Sequence, residues 1–240
     1  MNAKITATAH NTPKNVMTNH DLEKLVDTTD AWIQSRTGIV QRHIVSEDEA
    51  SSDISTRIAT SLLEKSGISA DGIDLIIVGT VTPDHFTPST AALVQKNIGA
   101  KNAWGFDLSA ACSGFLYGLE TGANFIASGK HKKVMVIGVD TMTSILDFKD
   151  RDTCVIFGDG GGGVILEPAS NGAGIVDSIL HMDGSGGDYL IMPGGGSRIP
   201  ATLKSVGDKQ HYIKQDGKTV FKYAVKGMQM SLKKSYLEII

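Results

Sequence analysis

The sequence has 240 residues and a mass of 25.4 kDa, enough for one large α/β domain or two small ones with a buried core. Lys and Arg (23) against Asp and Glu (26) give a formal net charge of −3, so there is no overall basic field of the kind that holds nucleic acid. Glycine is abundant (27 residues) while proline is scarce (6), which excludes collagen-like and disordered compositions and points to backbones that approach one another closely.

In chain order, short apolar runs alternate with helix-period segments, the pattern of an α/β domain. A first strand is expected at Ile5 to Ala9, then a helix from about Asp21 to Val26 and another near Asp30 to Ser35, stopped before Gly38. Ser52 can cap a helix over 53–66 whose Ile54, Ile58 and Leu62 share a face, with Gly67 as its stop. The run from Ile73 to Thr80 is apolar on both sides and reads as a central, doubly covered strand. Thr87-Pro88 is expected to open the next helix, with Gly99 at its end. Further along, Trp104 to Leu108 is a strand, Cys112 to Ser128 a helix and Lys133 to Val139 a strand.

Cys154 to Phe157 and Val164 to Glu167 are expected as two strands joined by a glycine bridge. The stretch Pro168-Ala-Ser-Asn-Gly-Ala-Gly174 reads as a seam, dividing a unit 1–168 from a second unit, 169–240. That second unit holds an expected strand from Ile175 to His181 and a helix from about Thr219 onward, too little for a domain. The chain stops on Leu237-Glu-Ile-Ile240, an uncapped apolar end, which reads as a truncation.

The two cysteines cannot build a disulfide framework, the N-terminus has no signal-peptide core, and no apolar run approaches the ~20 residues that cross a bilayer. A cytoplasmic protein without a membrane partner is expected. Seven scattered histidines, with neither H-E-x-x-H nor C-x-x-C spacing, give no metal site.

Gly158-Asp-Gly160-Gly-Gly-Gly163 satisfies G-x-G-x-x-G, but the β-like Val164-Ile-Leu-Glu-Pro168 follows where a phosphate site needs a helix N-terminus. Close backbone packing explains it better. Cys112, at a strand end and helix start among Ser109, Ala110, Ala111, Ser113 and Gly114, has room for an acyl group and a dipole that favours thiolate. Position alone leaves it open between nucleophile and structural thiol. Gly114, Gly118 and Gly122 recur every four residues and are expected to receive a partner helix.

Four stretches together resemble one family. They are Thr28-Thr-Asp-Ala-Trp32-Ile-Gln-Ser-Arg36-Thr-Gly38-Ile, Asp107-Leu-Ser-Ala-Ala-Cys112-Ser-Gly-Phe115, Asp150-Arg151-Asp-Thr-Cys154-Val-Ile-Phe157-Gly-Asp-Gly160 and Val220-Phe-Lys222-Tyr-Ala-Val225. The chain resembles β-ketoacyl-acyl-carrier-protein synthase III, the condensing enzyme that starts type II fatty-acid synthesis. The resemblance implies an α/β, thiolase-like layered αβαβα fold, with its first half complete here and its second incomplete, and a homodimer. It implies that Cys112 takes an acyl group from an acyl-coenzyme A such as acetyl-coenzyme A. Condensation with malonyl-acyl-carrier protein then yields 3-oxoacyl-carrier protein.

By the same resemblance Trp32 and Arg151 sandwich the adenine, Thr28 bonds beside it and Arg36 meets the coenzyme A phosphates. Thr87 and Phe157 belong to the acyl pocket, and Lys222 to carrier-protein docking. No cofactor beyond the coenzyme A thioester, which is a substrate, is implied. Other condensing enzymes, such as hydroxymethylglutaryl-CoA synthase or a polyketide starter enzyme, fit the Trp32, Arg36 and Arg151 motifs less well; a noncatalytic remnant that binds acyl-coenzyme A or carrier protein is a further alternative.

Two departures stand out. Thr87 replaces the phenylalanine frequent before Pro88 in the family, where it reaches in from the partner subunit, and the smaller side chain predicts a wider or longer acyl pocket. The family's His-Gln-Ala-Asn and Gly-Asn-Thr motifs, source of its decarboxylating histidine and asparagine, do not occur in this sequence. From Pro200 to Ile240 eight lysines face three acids. Lys218, Lys222, Lys226 and Lys233 fall within an arc of about 80° on the expected last helix, beside Val220, Phe221, Ala224, Val225, Met228 and Leu232, a face suited to an acidic carrier.

Overall fold

The computed structural model describes residues 2–170 and 172–239, with side chains through residue 232. Regular elements follow in order: β1 (Ala3–Asn11), β2 (Asn15–Thr18), α1 (Asn19–Leu22), α2 (Asp30–Thr37), β3 (Gln41–Ile44), α3 (Ser51–Ser66), β4 (Leu75–Gly79), α4 (Thr90–Ile98) and β5 (Trp104–Leu108). After them come α5 (Gly114–Ala127), β6 (Val134–Thr141), α6 (Arg151–Cys154), β7 (Asp159–Pro168), β8 (Leu190–Ile191), α7 (Leu203–Gly207), β9 (Lys214–Gln215) and α8 (Gly217–Ile239). Residues pack into two compact units: 1–15 with 43–141 and 159–178, and 16–42 with 142–158 and 179–240.

In the first unit a five-stranded sheet runs β1-β7-β6-β4-β5. β4 pairs in parallel with β5 and β6, and β7 is antiparallel to β6 and β1. β4 is buried at every position, as its unbroken apolar run requires. One apolar cluster joins Ile54, Ile58 and Leu62 of α3 and Val94 of α4 to Ile76, Val78, Met135 and Ile137. A second lies on the opposite face, where Ile126 of α5 meets Leu75, Ile77, Val134, Val136 and Leu166. The unit is therefore an α-β-α sandwich, and the chain is of the expected α/β class.

Helix ends follow local chemistry. Gly38, Gly67 and Gly99 close α2, α3 and α4 in the left-handed region that glycine enters without a Cβ clash. α4 departs from expectation: it starts at Thr90, capped by the Ser89 hydroxyl on Ala92 N–H, and the Thr87-Pro88 peptide before it is cis.

Four other expectations are corrected. Cys154 lies in α6, not in a strand, because Asp150 caps that turn through the Asp152 N–H. The glycines 160–163 are not a bridge but part of β7, Gly161 to Gly163 paired with both β1 and β6 and Gly160 with β6. They are needed there: a Cβ on Gly161 would meet Ile58 Cδ1 at 2.9 Å, and one on Gly163 would meet Ile58 Cγ2 at 3.0 Å. The glycine stripe of α5 receives the sheet, not a helix. A Cβ on Gly118 would lie 2.9 Å from Val136 Cγ1, and one on Gly122 2.9 Å from Leu166 Cδ1.

Residues 175–181 form no strand; Ile175 donates one backbone bond to the Ala3 carbonyl (2.7 Å), and Val176 is exposed. The second unit contains a small core of Leu22, Ile33, Cys154 and Val155, the β8–β9 ladder, and α8. No helix among the described residues is long and apolar enough to cross a membrane.

Candidate active site

Cys112 lies in a single 3₁₀ turn, Ala111–Ser113, between the C-terminal end of β5 and the start of α5. The turn is sharp because Ala111 takes φ +47°, a left-handed conformation that costs a residue with a Cβ about 1 kcal/mol or more. Composition gives no sign of this, since alanine is not a residue of left-handed turns. The result is an exposed thiol on a short connection between two packed elements. Cys154 is fully buried, and that burial pushes its thiol up from the ordinary cysteine range.

The position of α5 is set by backbone contact. A Cβ on Gly79, the last residue of β4, would meet the Gly114 carbonyl carbon at 2.7 Å, so strand and helix touch main chain to main chain two residues after Cys112. Thr80 N–H donates to the Leu108 carbonyl at 3.1 Å just beyond the β4–β5 ladder. Asp140 Oδ1 accepts from the Thr80 hydroxyl, the Val81 N–H and the Thr82 hydroxyl at 3.1, 2.8 and 3.0 Å, fixing the first residues of the β4–α4 connection. Thr87, later in the same connection, is exposed beside Phe86, which is 90% exposed.

The second unit brings together Trp32 and Arg151. Ile33 is fully buried on the inner side of α2, while Trp32 and Arg36 are exposed. The Arg151 guanidinium lies over the indole of Trp32, 4.2 Å from its centroid. The Thr28 hydroxyl and Arg151 Nε are buried polar atoms without a protein partner, so each retains capacity for a ligand.

A residue absent from the expectations organises this region. Arg42, 4% exposed, donates from Nη1 to Asn19 Oδ1 at 2.9 Å and from Nη2 to the Val155 carbonyl at 3.0 Å. Asn19 in turn donates to Asp30 Oδ1 at 2.8 Å, at the first residue of the helix that carries Trp32. One buried guanidinium thus links the start of α2 to the end of α6. Burial pulls its pKa below the usual arginine range, and hydrogen bonds from Gln34 and then Asn19 hold the Asp30 carboxyl below the carboxylate range. In sequence it is one arginine in Gln41-Arg42-His43-Ile44, with no signal that it is buried.

Phe157 is half-buried just after α6. Lys222 is exposed on α8, together with Lys218 and Lys226; the Lys233 side chain lies outside the described residues. The expected apolar face of α8 is also open, with Phe221, Met228 and Leu232 each more than half exposed.

The 3-oxoacyl-[acyl-carrier-protein] synthase III family model matches residues 106–184, a stretch that includes Cys112, Arg151 and Phe157. The β-ketoacyl-[acyl-carrier-protein] synthase III of Chlorobaculum tepidum is 59% identical over 231 residues, spanning 95% of this chain and 70% of that protein. The chain belongs to the β-ketoacyl-[acyl-carrier-protein] synthase III family. It is thus an acyltransferase of the condensing type. The synthase III of Solibacter usitatus is 56% identical over 229 residues, covering 94% of this chain and 69% of its own. Among solved structures, 3-oxoacyl-(acyl carrier protein) synthase III of Pseudomonas aeruginosa PAO1 superposes with a TM-score of 0.89 at 34% identity, over 100% of this chain and 72% of that one. The Aquifex aeolicus VF5 synthase III gives 0.86 at 40% identity, over 97% and 70%.

Proposed function

We propose that this synthase III catalyses the initiating condensation of type II fatty-acid synthesis and that Cys112 is its acyl acceptor. The observation that carries the proposal is the exposed Cys112 thiol on the strained turn after β5. The Cys112 thiolate attacks the thioester carbonyl of acetyl-coenzyme A or a longer primer, the carbonyl–sulfur bond breaks, and coenzyme A leaves as the thiol after taking up a proton. Malonyl-acyl-carrier protein then loses carbon dioxide, its carbanion attacks the acyl group, and the Cys112 thiolate is released as 3-oxoacyl-carrier protein forms.

Trp32 and Arg151 serve the adenine through their stacked planes, Thr28 supplies its unpartnered hydroxyl beside it, and Arg36 supplies forked donors to phosphate. Thr87 and Phe157 bound the acyl chain. Lys222, with the neighbouring exposed lysines of α8, receives an acidic carrier protein. The enzyme works in the cytoplasm as a homodimer; β5 ends the sheet with a ladder on one side, and its Trp104 is half exposed, a surface suited to a second copy.

Intact-mass measurement after incubation with acetyl-coenzyme A tests the reading. One acetyl adduct is expected, mapping to Cys112, absent in Cys112→Ser and never found on the buried Cys154. No adduct, or an adduct that survives Cys112→Ser, would overturn it.

A further inference from the structure

Trp32 and Arg151 come from two elements far apart in the chain, and one buried network spans both. Asn19, 1% exposed, holds the two ends of α2: its Nδ2 donates to Asp30 Oδ1 at the first residue and to the Ile39 carbonyl just past the last, each at 2.8 Å. Its Oδ1 accepts from Arg42 Nη1, and Arg42 Nη2 reaches the carbonyl of Val155, the residue that closes α6. Trp32 lies two residues beyond Asp30, and Arg151 four residues before Val155. Each of the two stacked side chains is thus within about one helical turn of an anchor.

Stability alone does not account for this arrangement. Among the described residues the acceptors of Arg42 are all neutral: the Asn19 side-chain oxygen, the Val155 carbonyl and, at 3.4 Å, the Met17 carbonyl. Its Nε is buried without a protein partner. A buried ion held by neutral acceptors bears a desolvation cost that an apolar side chain would not. What a guanidinium does offer is several donors at fixed angles in one rigid plane. With Nη1 committed to the α2 side and Nη2 to α6, Arg42 fixes the distance between the two elements.

We infer that Arg42 is a positioning residue for the nucleotide half of coenzyme A, holding α2 and α6 at the spacing that lets an adenine stack between Trp32 and Arg151. The inference rests on the reading of those two side chains as the adenine clamp. Arg42 itself touches no substrate. Arg151 turns aside on its own bonds to admit the ring, and the spacing of the backbones beneath decides whether both planes then meet it. Loss of that spacing weakens the hold on the nucleotide and leaves the thioester end as it is.

The test sets Arg42→Lys against the parent with two acyl donors, acetyl-coenzyme A and acetyl-pantetheine, which carries the same thioester without the nucleotide. Lysine keeps the charge but brings a single nitrogen, which cannot occupy both the Nη1 and the Nη2 site. The acetyl-coenzyme A concentration for half-maximal acylation of Cys112 is expected to rise about fivefold, part of what base–aromatic stacking supplies, with the maximal rate unchanged. Both values for acetyl-pantetheine should stay at the parent level. No rise with acetyl-coenzyme A overturns the inference. So does an equal rise with both donors, the mark of a protein that is merely loosened.

Trp32→Ala separates this outcome from the reading beneath it. If Trp32→Ala leaves the acetyl-coenzyme A value unchanged, the adenine clamp falls and the inference falls with it; if Trp32→Ala raises it and Arg42→Lys does not, only the inference falls. A further readout needs no acylation. The dissociation constant of adenosine 3′,5′-bisphosphate, the nucleotide part of coenzyme A, should rise by the same factor in Arg42→Lys when measured by calorimetry. An unchanged constant overturns the inference, and a parent that does not bind the bisphosphate removes clamp and inference together. Should Arg42→Lys fail to fold, Asn19→Asp carries the same readouts: it keeps the acceptor for Arg42 but sets a carboxylate oxygen where Asp30 and Ile39 need a donor, cutting the network on the α2 side alone.

Discussion

The Arg151 guanidinium rests directly on the Trp32 indole, its central carbon 4.2 Å from the ring centroid. An aromatic ring held between two planes needs them about 7 Å apart, two van der Waals layers. Arg151 must therefore swing away from Trp32 before an adenine can stack between them. The exchange replaces one cation–π contact, about 0.5–1 kcal/mol at an exposed site, with two stacking contacts to the ligand.

Coenzyme A should accordingly change Trp32 emission. In a Trp104→Phe background a saturable change is expected on titration, and Trp32→Ala should abolish it. Arg151→Ala should weaken binding by about two- to fivefold. A flat titration would remove Trp32 from the adenine site.

Gly79→Ala is expected to cost about 3 kcal/mol in urea unfolding, because the new Cβ meets the Gly114 main chain, which cannot yield without moving α5. Gly118→Ala meets a Val136 methyl instead, and alanine favours the helix by about 1 kcal/mol, so its net cost should be clearly smaller. Gly79→Ala should also slow acylation of Cys112, whereas equal costs for the two variants would contradict the backbone argument.

Lys209 Nζ lies 2.5 Å from Asp147 Oδ2, and this bond, with the Lys149 N–H second, holds the Asp147 carboxyl below the usual carboxylate range. A carboxylate depressed in the folded state contributes stability above its unfolded pKa and loses that contribution as pH falls through its folded pKa. Asp147→Asn should therefore be less stable than the parent at pH 7 and converge with it in acid. Thermal melts from pH 7 down to pH 3 check this; a difference independent of pH would point to packing instead.

Thr87 leaves more space than the phenylalanine frequent at this position in the resembling family. Cys112 acylation should extend to longer or branched primers, and Thr87→Phe should shift the preference toward acetyl. A strict acetyl preference in the parent would refute the wider pocket.

Much of the secondary structure was legible because its causes are local. The left-handed glycines at 38, 67 and 99 end helices wherever the fold places them. The unbroken apolar run of β4 could be satisfied only by cover on both faces. β7 was misread because glycine is a poor strand former; pairing on both sides and close approach of Ile58 outweigh that preference. The glycine stripe of α5 was seen correctly as a close-approach surface, but periodicity does not say whether a helix or a sheet arrives.

By itself the sequence determined the α/β class, the family motifs and the position of Cys112 between strand and helix, since all of these reside in consecutive residues. Tertiary structure alone decided that Ala111 turns left-handed, that Arg42 links α2 to α6, and that Asp107 holds the amides of α4. The reason is physical: a buried guanidinium or a carboxylate on helix amides gains its role from partners 16 to 113 positions away, and no local pattern records who those partners are.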